Sequence, residues 1–587
     1  MKKFKIIKKF LIYFKNINYL NIKNKIFDMI NNIFYENISP VTSIFVSLII
    51  SISFSFFMFP ITYILGTGAF FETGDSAQHL SGWYFFKNDG WHFPLLKTLR
   101  FEPPQGINIA FTDSIPIAAL FFKSIKFLLP EKFNYFGIWA VISILSQGLA
   151  ATWILRILGE KRLIPIIVIN FLFITFPSLT LRLLMQHTSL YTQSLTLFAF
   201  GTALLGLKEI RSKEWVDWVF RIILSISLLI HPYFLAMVSA LYIGYHGELI
   251  FRTKKIKYTL LSIFLTYLII FLLMWILGYF GNGDPQTNGF GFYSMNLSSL
   301  ICGGEILLPS CSIDATGGQY EGDNYLGLGI VIVSILIFIL KSQYVIEKIK
   351  RYPILVLTLC SLFIYSVAQK IFLGHLILLS LPFPHFFITS IFRSNGRFFW
   401  PVGQVYLFLI FMGFLRFKHE KKVLWLSLIL LVVQLADLKG IILADRAFAQ
   451  SQDSAFLHRI DKWSPLIQKV ALVRVIPSFS CGGDPKQVQF FQYLSSINKN
   501  IFIGGYVAHG GMSENCSEME KFKPRDKEID IVLNKSRNNL SPLIISELKN
   551  DQCRQFSEGI ACIKNSSSIW WQNNASWMKL PLGFTKN

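Results

Sequence analysis

The sequence predicts an α-helical polytopic membrane protein of about eleven transmembrane helices, with a small α/β domain on the extracytoplasmic side. Three observations carry this. Of 587 residues, 53% are hydrophobic and only 15% are charged, where a soluble domain carries roughly 25% charged residues. Apolar runs of spanning length recur along residues 41–438. Lys and Arg cluster in alternate connections between those runs, the positive-inside pattern. The net charge of +22 is accounted for by those clusters, so nucleic acid is not an expected partner.

Residues 1–40 hold eight lysines. They read as a basic cytoplasmic arm suited to anionic membrane lipids. An uncleaved anchor follows, because a signal peptide places its apolar core within roughly the first 30 residues. Residues 41–438 form the membrane domain. Its apolar runs are 41–64, 133–156, 163–181, 189–207, 217–231, 233–250, 258–280, 325–340, 353–369, 397–415 and 422–438. The two runs around His231-Pro232 are short, and a single kinked helix there would invert everything downstream. Loop charge favours two crossings. Cytoplasmic loops then hold Lys161 and Arg162; Lys208, Arg211 and Lys213; Arg252, Lys254, Lys255 and Lys257; Lys348, Lys350 and Arg351; Lys418, Lys421 and Lys422. Loop 281–323 falls outside, with no Lys or Arg but with Asp284, Glu305, Asp314, Glu321 and Asp323.

Cysteine placement agrees with this topology. Cys302 and Cys311 share that loop, Cys481, Cys516, Cys553 and Cys562 follow the last span, and Cys360 alone lies in a span. Six therefore sit where disulfides form. The expected pairs are 302–311, 481–516 and 553–562, although four cysteines allow three connectivities.

The first outside loop, 65–131, is long. Ser76–Phe86 puts Leu80, Trp83 and Tyr84 on one helical face, which predicts an interfacial helix. Ile115–Leu129, with Lys123 and Lys126, is too short and polar to span. Region 371–396, with Leu381-Pro-Phe-Pro-His385, is apolar but broken by proline and is expected to dip into the membrane and return. Residues 440–587 alternate short apolar runs (Val470–Ile476, Ile501–Tyr506, Leu543–Ile545) with helix-like stretches such as Gln487–Ile497, as a small α/β domain does.

No HExxH, CxxC, GxxxxGK[ST] or GxSxG motif occurs, which argues against a conventional metalloprotease, ATPase or α/β-hydrolase. Ionisable groups instead gather at the outer membrane face. Asp75 and His79 are four apart and share a helix face. A carboxylate there can take the proton of an attacking hydroxyl; Asp75-Ser-Ala-Gln78 also fits a capping box. Glu72 is a weaker candidate for the base. Asp113 is a second acid or a cap before Pro116. Arg393 and Arg397 suit a phosphate, which arginine binds by bidentate bonds, or ordinary headgroups. Arg182, Gln186, His187 and His231 sit near span ends, where interfacial roles are common. Glu321 and Asp323 suit a sugar, a cation or a helix cap.

Taken together, these features resemble the GT-C superfamily of membrane glycosyltransferases. More narrowly, three segments resemble a bacterial family of membrane proteins, domain of unknown function 6311. They are Gly74-Asp-Ser-Ala-Gln-His-Leu-Ser-Gly-Trp83 with Asn88-Asp-Gly-Trp-His-Phe-Pro94, Phe111-Thr-Asp-Ser-Ile-Pro116, and Phe392-Arg-Ser-Asn-Gly-Arg-Phe-Phe-Trp-Pro401. The likeness runs over most of 40–565. It implies a GT-C-like membrane domain in a bacterial inner membrane, with the N-terminus cytoplasmic and the C-terminal domain periplasmic or extracellular. It implies Asp75 as general base, supported by His79, and a polyprenyl-phosphate sugar donor whose phosphate Arg393 and Arg397 hold. Glu321, Asp323, His231 and Asp113 would line the pocket. Transfer would be inverting, to a glycan, lipid or protein acceptor. Many members carry two adjacent acids where this chain has Asp75-Ser76, with Glu72 three residues earlier, a departure that counts against metal assistance; the one cofactor the resemblance admits is a divalent cation, Mg or Mn. The alternatives are a transporter or flippase of a lipid-linked glycan, which would often show repeated halves, and a scaffold or polysaccharide ligase.

Overall fold

Every apolar run named above within residues 41–438 contains a helix in the computed structural model, which describes residues 36–67, 74–184, 187–280, 289–308, 311, 314–382, 387–450, 454–507, 528–533, 553–555 and 558–563. Expectations for the N-terminal arm through residue 35, Glu72, Gln186, His385, Cys516 and Leu543–Ile545 lie outside these residues. Seven helices are long and apolar enough to cross a membrane, or up to nine if each of two bent pairs is one span. The expected count of about eleven is therefore not reached on length and apolarity. Pro353–Val367 has 15 residues, and Lys213–Leu228 has 16 and carries Lys213, Glu214, Asp217 and Arg221. The Ile256–Leu277 helix shows what a lipid-facing surface requires: Leu260, Leu261, Phe264, Phe271 and Trp275 are all exposed.

The segment around Pro232 is two helices. Lys213–Leu228 ends, His231 caps the next helix by accepting from the Tyr233 N–H, and Pro232 occupies its first turn. Proline is tolerated there because its missing N–H had no helical partner to lose.

The first-loop helix Asp75–Asn88 corrects the interfacial expectation: every residue from Ser76 to Lys87 is buried. Its apolar face and its small polar face are both covered. Trp83 Nε1 donates to the Phe133 carbonyl and the Tyr84 hydroxyl to the Lys132 carbonyl. On the other side Gln492, on the Pro485–Ile497 helix, donates to Ser81 Oγ at 2.8 Å. Trp83, Phe85 and Phe86 are fully buried, each contributing roughly 1.5–3 kcal/mol. Region 371–396 holds strand structure near its start. It opens as an antiparallel hairpin, Lys370–Leu373 with Leu376–Ser380, whose second strand is exposed throughout.

Beyond the last membrane helices lies a five-stranded mixed sheet in the order Ile501–Ile503, Leu472–Ile476, Glu528–Leu533, Gly559–Ile563, Cys553–Gln555. The first three strands are parallel and the last two pairings antiparallel. The first loop adds to its edge. Glu102 N–H donates to the Phe502 carbonyl and Phe502 N–H to the Arg100 carbonyl, both at 2.9 Å, while Glu102 Oε1 accepts from Gly504 and Gly505. One hydrophobic core runs from Phe54 in the first membrane helix to Ile563 in the sheet.

Cys302 and Cys311 form a disulfide, Cys481 and Cys562 are disulfide-bonded with partners outside the described side chains, and Cys360 is free.

Candidate functional site

Three chain segments far apart in sequence meet beside the start of the Asp75–Asn88 helix. Asp75 is its first residue, behind Gly74, which has no side-chain cap. Asp75 thus does not cap the helix through its side chain. Its Oδ2 instead lies 2.5 Å from His187 Nε2. His187 Nδ1 faces Arg182 Nη1 at 3.4 Å. A guanidinium only donates, so Nδ1 accepts and Nε2 donates to Asp75. Arg182 in turn meets Glu321 Oε2 at 2.5 Å and donates to the Glu321 carbonyl at 2.7 Å. Arg397 donates to the same Oε2 from Nε at 3.0 Å and Nη2 at 2.9 Å.

The result is a line of polar groups running Arg397, Glu321, Arg182, His187, Asp75. Burial pushes the Glu321 carboxyl up, but the two guanidinium groups outweigh it and hold it well below the usual carboxylate range. Burial likewise raises Asp75, and interactions led by the hydrogen bond from His187 outweigh it, leaving Asp75 below its ordinary value. Asp75 is also the outermost member, with a side chain 41% exposed against 8% for Glu321 and 0% for Arg182.

Asp113 forms the second branch. It closes a short 3-10 turn in the left-handed region, at φ 53°, rather than capping the Pro116–Ser124 helix, whose preceding residue Ile115 makes no side-chain cap. His231 Nε2 lies 3.3 Å from Asp113 Oδ1, and His79 Nε2 lies 4.0 Å from Oδ2. His79 therefore faces Asp113, and the residue bonded to Asp75 is His187. Burial pushes the His79 imidazole down to about 4 despite both carboxylates, so it is neutral at pH 7.

The Phe392–Pro401 segment is the hub of the arginine side. Asn395 Oδ1 accepts from Gly291 N–H, and its Nδ2 donates to the Tyr365 and Ser366 carbonyls. Ser394 N–H donates to the Tyr233 hydroxyl at 2.8 Å. Gly396 is needed for close approach: a Cβ there would stand 2.4 Å from Gly322 Cα. These two glycines let Arg397 and Glu321, their chain neighbours, meet. The expected phosphate pair is thereby divided. Arg397 is buried and committed to Glu321, whereas Arg393 makes no ion pair among the described residues and sits 5.9 Å from the Tyr293 ring. Burial raises the Tyr506 hydroxyl, and the charges acting on it are Asp75, Arg393 and Asp113. Tyr506, from the segment after the Ile501–Ile503 strand, therefore lies within electrostatic reach of both the acid side and the arginine side. Asp323 accepts from Tyr325 N–H, and burial pushes its carboxyl up to about 7.

Among the described residues no group of three or more His, Cys, Asp or Glu is placed to hold a metal ion.

His187 and Arg182 stood in the sequence only as polar groups at a span end. Tyr293 and Tyr506 carried no signal at all, since an aromatic in an apolar run is indistinguishable from core.

No curated protein matches the chain. Among solved structures, the archaeal oligosaccharyltransferase AglB from Archaeoglobus fulgidus, in complex with an inhibitory peptide and a dolichol-phosphate, is similar over 92% of this chain and 74% of its own, at 10% identity and a TM-score of 0.35. A likeness that low leaves function to be argued from the chain itself. The model of the family DUF6311, a domain of unknown function, matches residues 48–439. The chain therefore belongs to the DUF6311 family.

Proposed function

We propose that this protein is a membrane glycosyltransferase that moves a sugar from a polyprenyl-phosphate donor to a glycan, lipid or protein acceptor on the outer membrane face. The observation that carries it is a partly exposed carboxylate, Asp75, held by a buried His–Arg–Glu line, with Arg393, without an ion pair among the described residues, acting on the same Tyr506 hydroxyl as Asp75 does. His187 occupies Oδ2 of Asp75, and Oδ1 accepts the proton of the acceptor hydroxyl as its oxygen attacks the anomeric carbon. The bond from that carbon to the phosphate oxygen breaks, and polyprenyl phosphate leaves with the electron pair. Arg393 neutralises the leaving phosphate. Attack opposite the phosphate inverts the anomeric centre. Asp113, with His79 and His231, lines the acid side of the pocket, and Asp323 lies beside Glu321. Glu321 and Arg397 act by position, holding Arg182 against His187.

The test is release of polyprenyl phosphate by the full chain in lipid nanodiscs, supplied with a panel of polyprenyl-phosphate sugars and candidate acceptors. Release with sugar transfer supports the proposal. No release from any donor, together with passage of a lipid-linked glycan across proteoliposomes, would replace it with the transporter alternative.

A further inference from the structure

A second site lies at the opposite end of the same helices. The Phe399–Phe414 helix has 16 residues, so its ends are about 24 Å apart at 1.5 Å per residue. Arg397 precedes it and Arg416 follows it. The Ser194–Leu207 helix likewise has His187 before it and Lys208 after it. Around Lys208 and Arg416 is a cavity of about 490 Å³, within the roughly 300–1,000 Å³ of small-molecule sites. Its walls are apolar, including Phe200, Leu204, Leu359, Phe408 and Met412. Its polar lining is of one sign: Lys208, Lys348, Arg351 and Arg416.

None of these four cations makes an ion pair among the described residues. Lys348 and Arg416 both stand over the Tyr344 ring, at 5.2 and 5.1 Å, and Lys208 Nζ donates one bond to the Ile157 carbonyl. Burial, then the charges of Arg351, Lys348 and Arg416, push the Lys208 ammonium below its ordinary value. Of the nearby carboxylates, Glu248 is bonded to Arg252, and Glu347 acts on Lys348 without forming an ion pair among the described residues, one negative charge against four positive. The Ser342–Arg351 helix turns 89° from the apolar helix before it, the geometry of a segment lying along a membrane surface. The N-terminal arm cannot supply the counter-charge, with eight lysines against Asp28 and Glu36.

Apolar walls under a mouth with a net excess of positive charge, at the level of a membrane surface, match one chemistry: a phosphate headgroup on a hydrocarbon chain. We propose that this cavity binds an anionic phospholipid, its phosphate among Lys208, Lys348, Arg351 and Arg416 and an acyl chain along Leu204, Leu359 and Phe408.

The test titrates the full chain in detergent with phosphatidylglycerol, phosphatidylcholine and inorganic phosphate, counting bound lipid by native mass spectrometry. The expected result is one phosphatidylglycerol bound at least tenfold more tightly than phosphatidylcholine. Lys208→Gln with Arg416→Gln should weaken it tenfold or more, and Lys370→Gln, in the exposed hairpin, should not change it. If the double variant fails to fold, each single variant carries the same expectation at about threefold. Equal binding of the two lipids, or wild-type binding by the variants, overturns the proposal. Displacement of the lipid by equimolar inorganic phosphate would show a free-anion site and overturn it too.

Discussion

Glu321→Gln removes one negative charge and little volume from the most buried part of the site. In the wild type a single oxygen, Oε2, takes bonds from Arg182 Nη1 at 2.5 Å and from Arg397 Nε and Nη2 at 3.0 and 2.9 Å. The side chains of Arg182, Glu321 and Arg397 are 0, 8 and 9% exposed. The variant leaves two guanidinium groups buried without a counter-charge. Breaking a buried pair in this way costs about 3–5 kcal/mol. Replacing all three residues by Met removes the uncompensated charge and is expected to cost less than Glu321→Gln alone. The assay is denaturant unfolding in detergent followed by tryptophan fluorescence. Because the folded Glu321 value is depressed, its contribution is fully present above the unfolded value of about 4.3 and is lost as pH falls through the folded value. The gap between wild type and variant should therefore stay constant from about pH 7 to 5 and shrink in stronger acid. A loss below about 1 kcal/mol, or a triple variant worse than the single one, would refute the reasoning.

Other outcomes follow from the same geometry. His187→Ala should slow sugar transfer at least tenfold and move the acid limb of the pH–rate profile upward, since it removes the bond that holds Asp75 down. His79 is held at about 4 against roughly 6.5 unfolded; stability should fall as pH drops between these values, by on the order of 3 kcal/mol in total, and His79→Gln should flatten that fall in acid unfolding curves. Gly396→Ala should destabilise the protein by about 1–3 kcal/mol, because its Cβ meets Gly322; unfolding midpoints will report it. Alkylation of denatured, unreduced protein should label Cys360 and leave Cys302, Cys311, Cys481 and Cys562 unlabelled until reduction; peptide mapping will report it.

Helix positions were legible because lipid demands long apolar segments whatever their neighbours. Span number was less so: Lys213–Leu228 keeps Asp217 within a helix by bonding it to His246 at 2.9 Å and Tyr258 at 2.6 Å, a partnership invisible to a composition count. Asp75, Asp113 and Glu321 stood out as acids in a chain poor in them. Their partners did not. His187 is 112 positions from Asp75, and Arg182 is 139 from Glu321, so only the fold joins them. The helix from Asp75 to Asn88 was misread because Leu80, Trp83 and Tyr84 gave one apolar face, while the covering of its Ser81 face by Gln492 comes from 411 residues away.

The most direct test of the proposed mechanism sets Asp75→Asn beside wild type in nanodiscs, measuring polyprenyl phosphate release and donor binding on the same samples. Loss of a general base predicts release slower by about 10²–10⁴-fold with donor binding retained, because the amide keeps the shape of the carboxylate and the arginine side is untouched. Equal release by both proteins would contradict the assignment of Asp75 as the base.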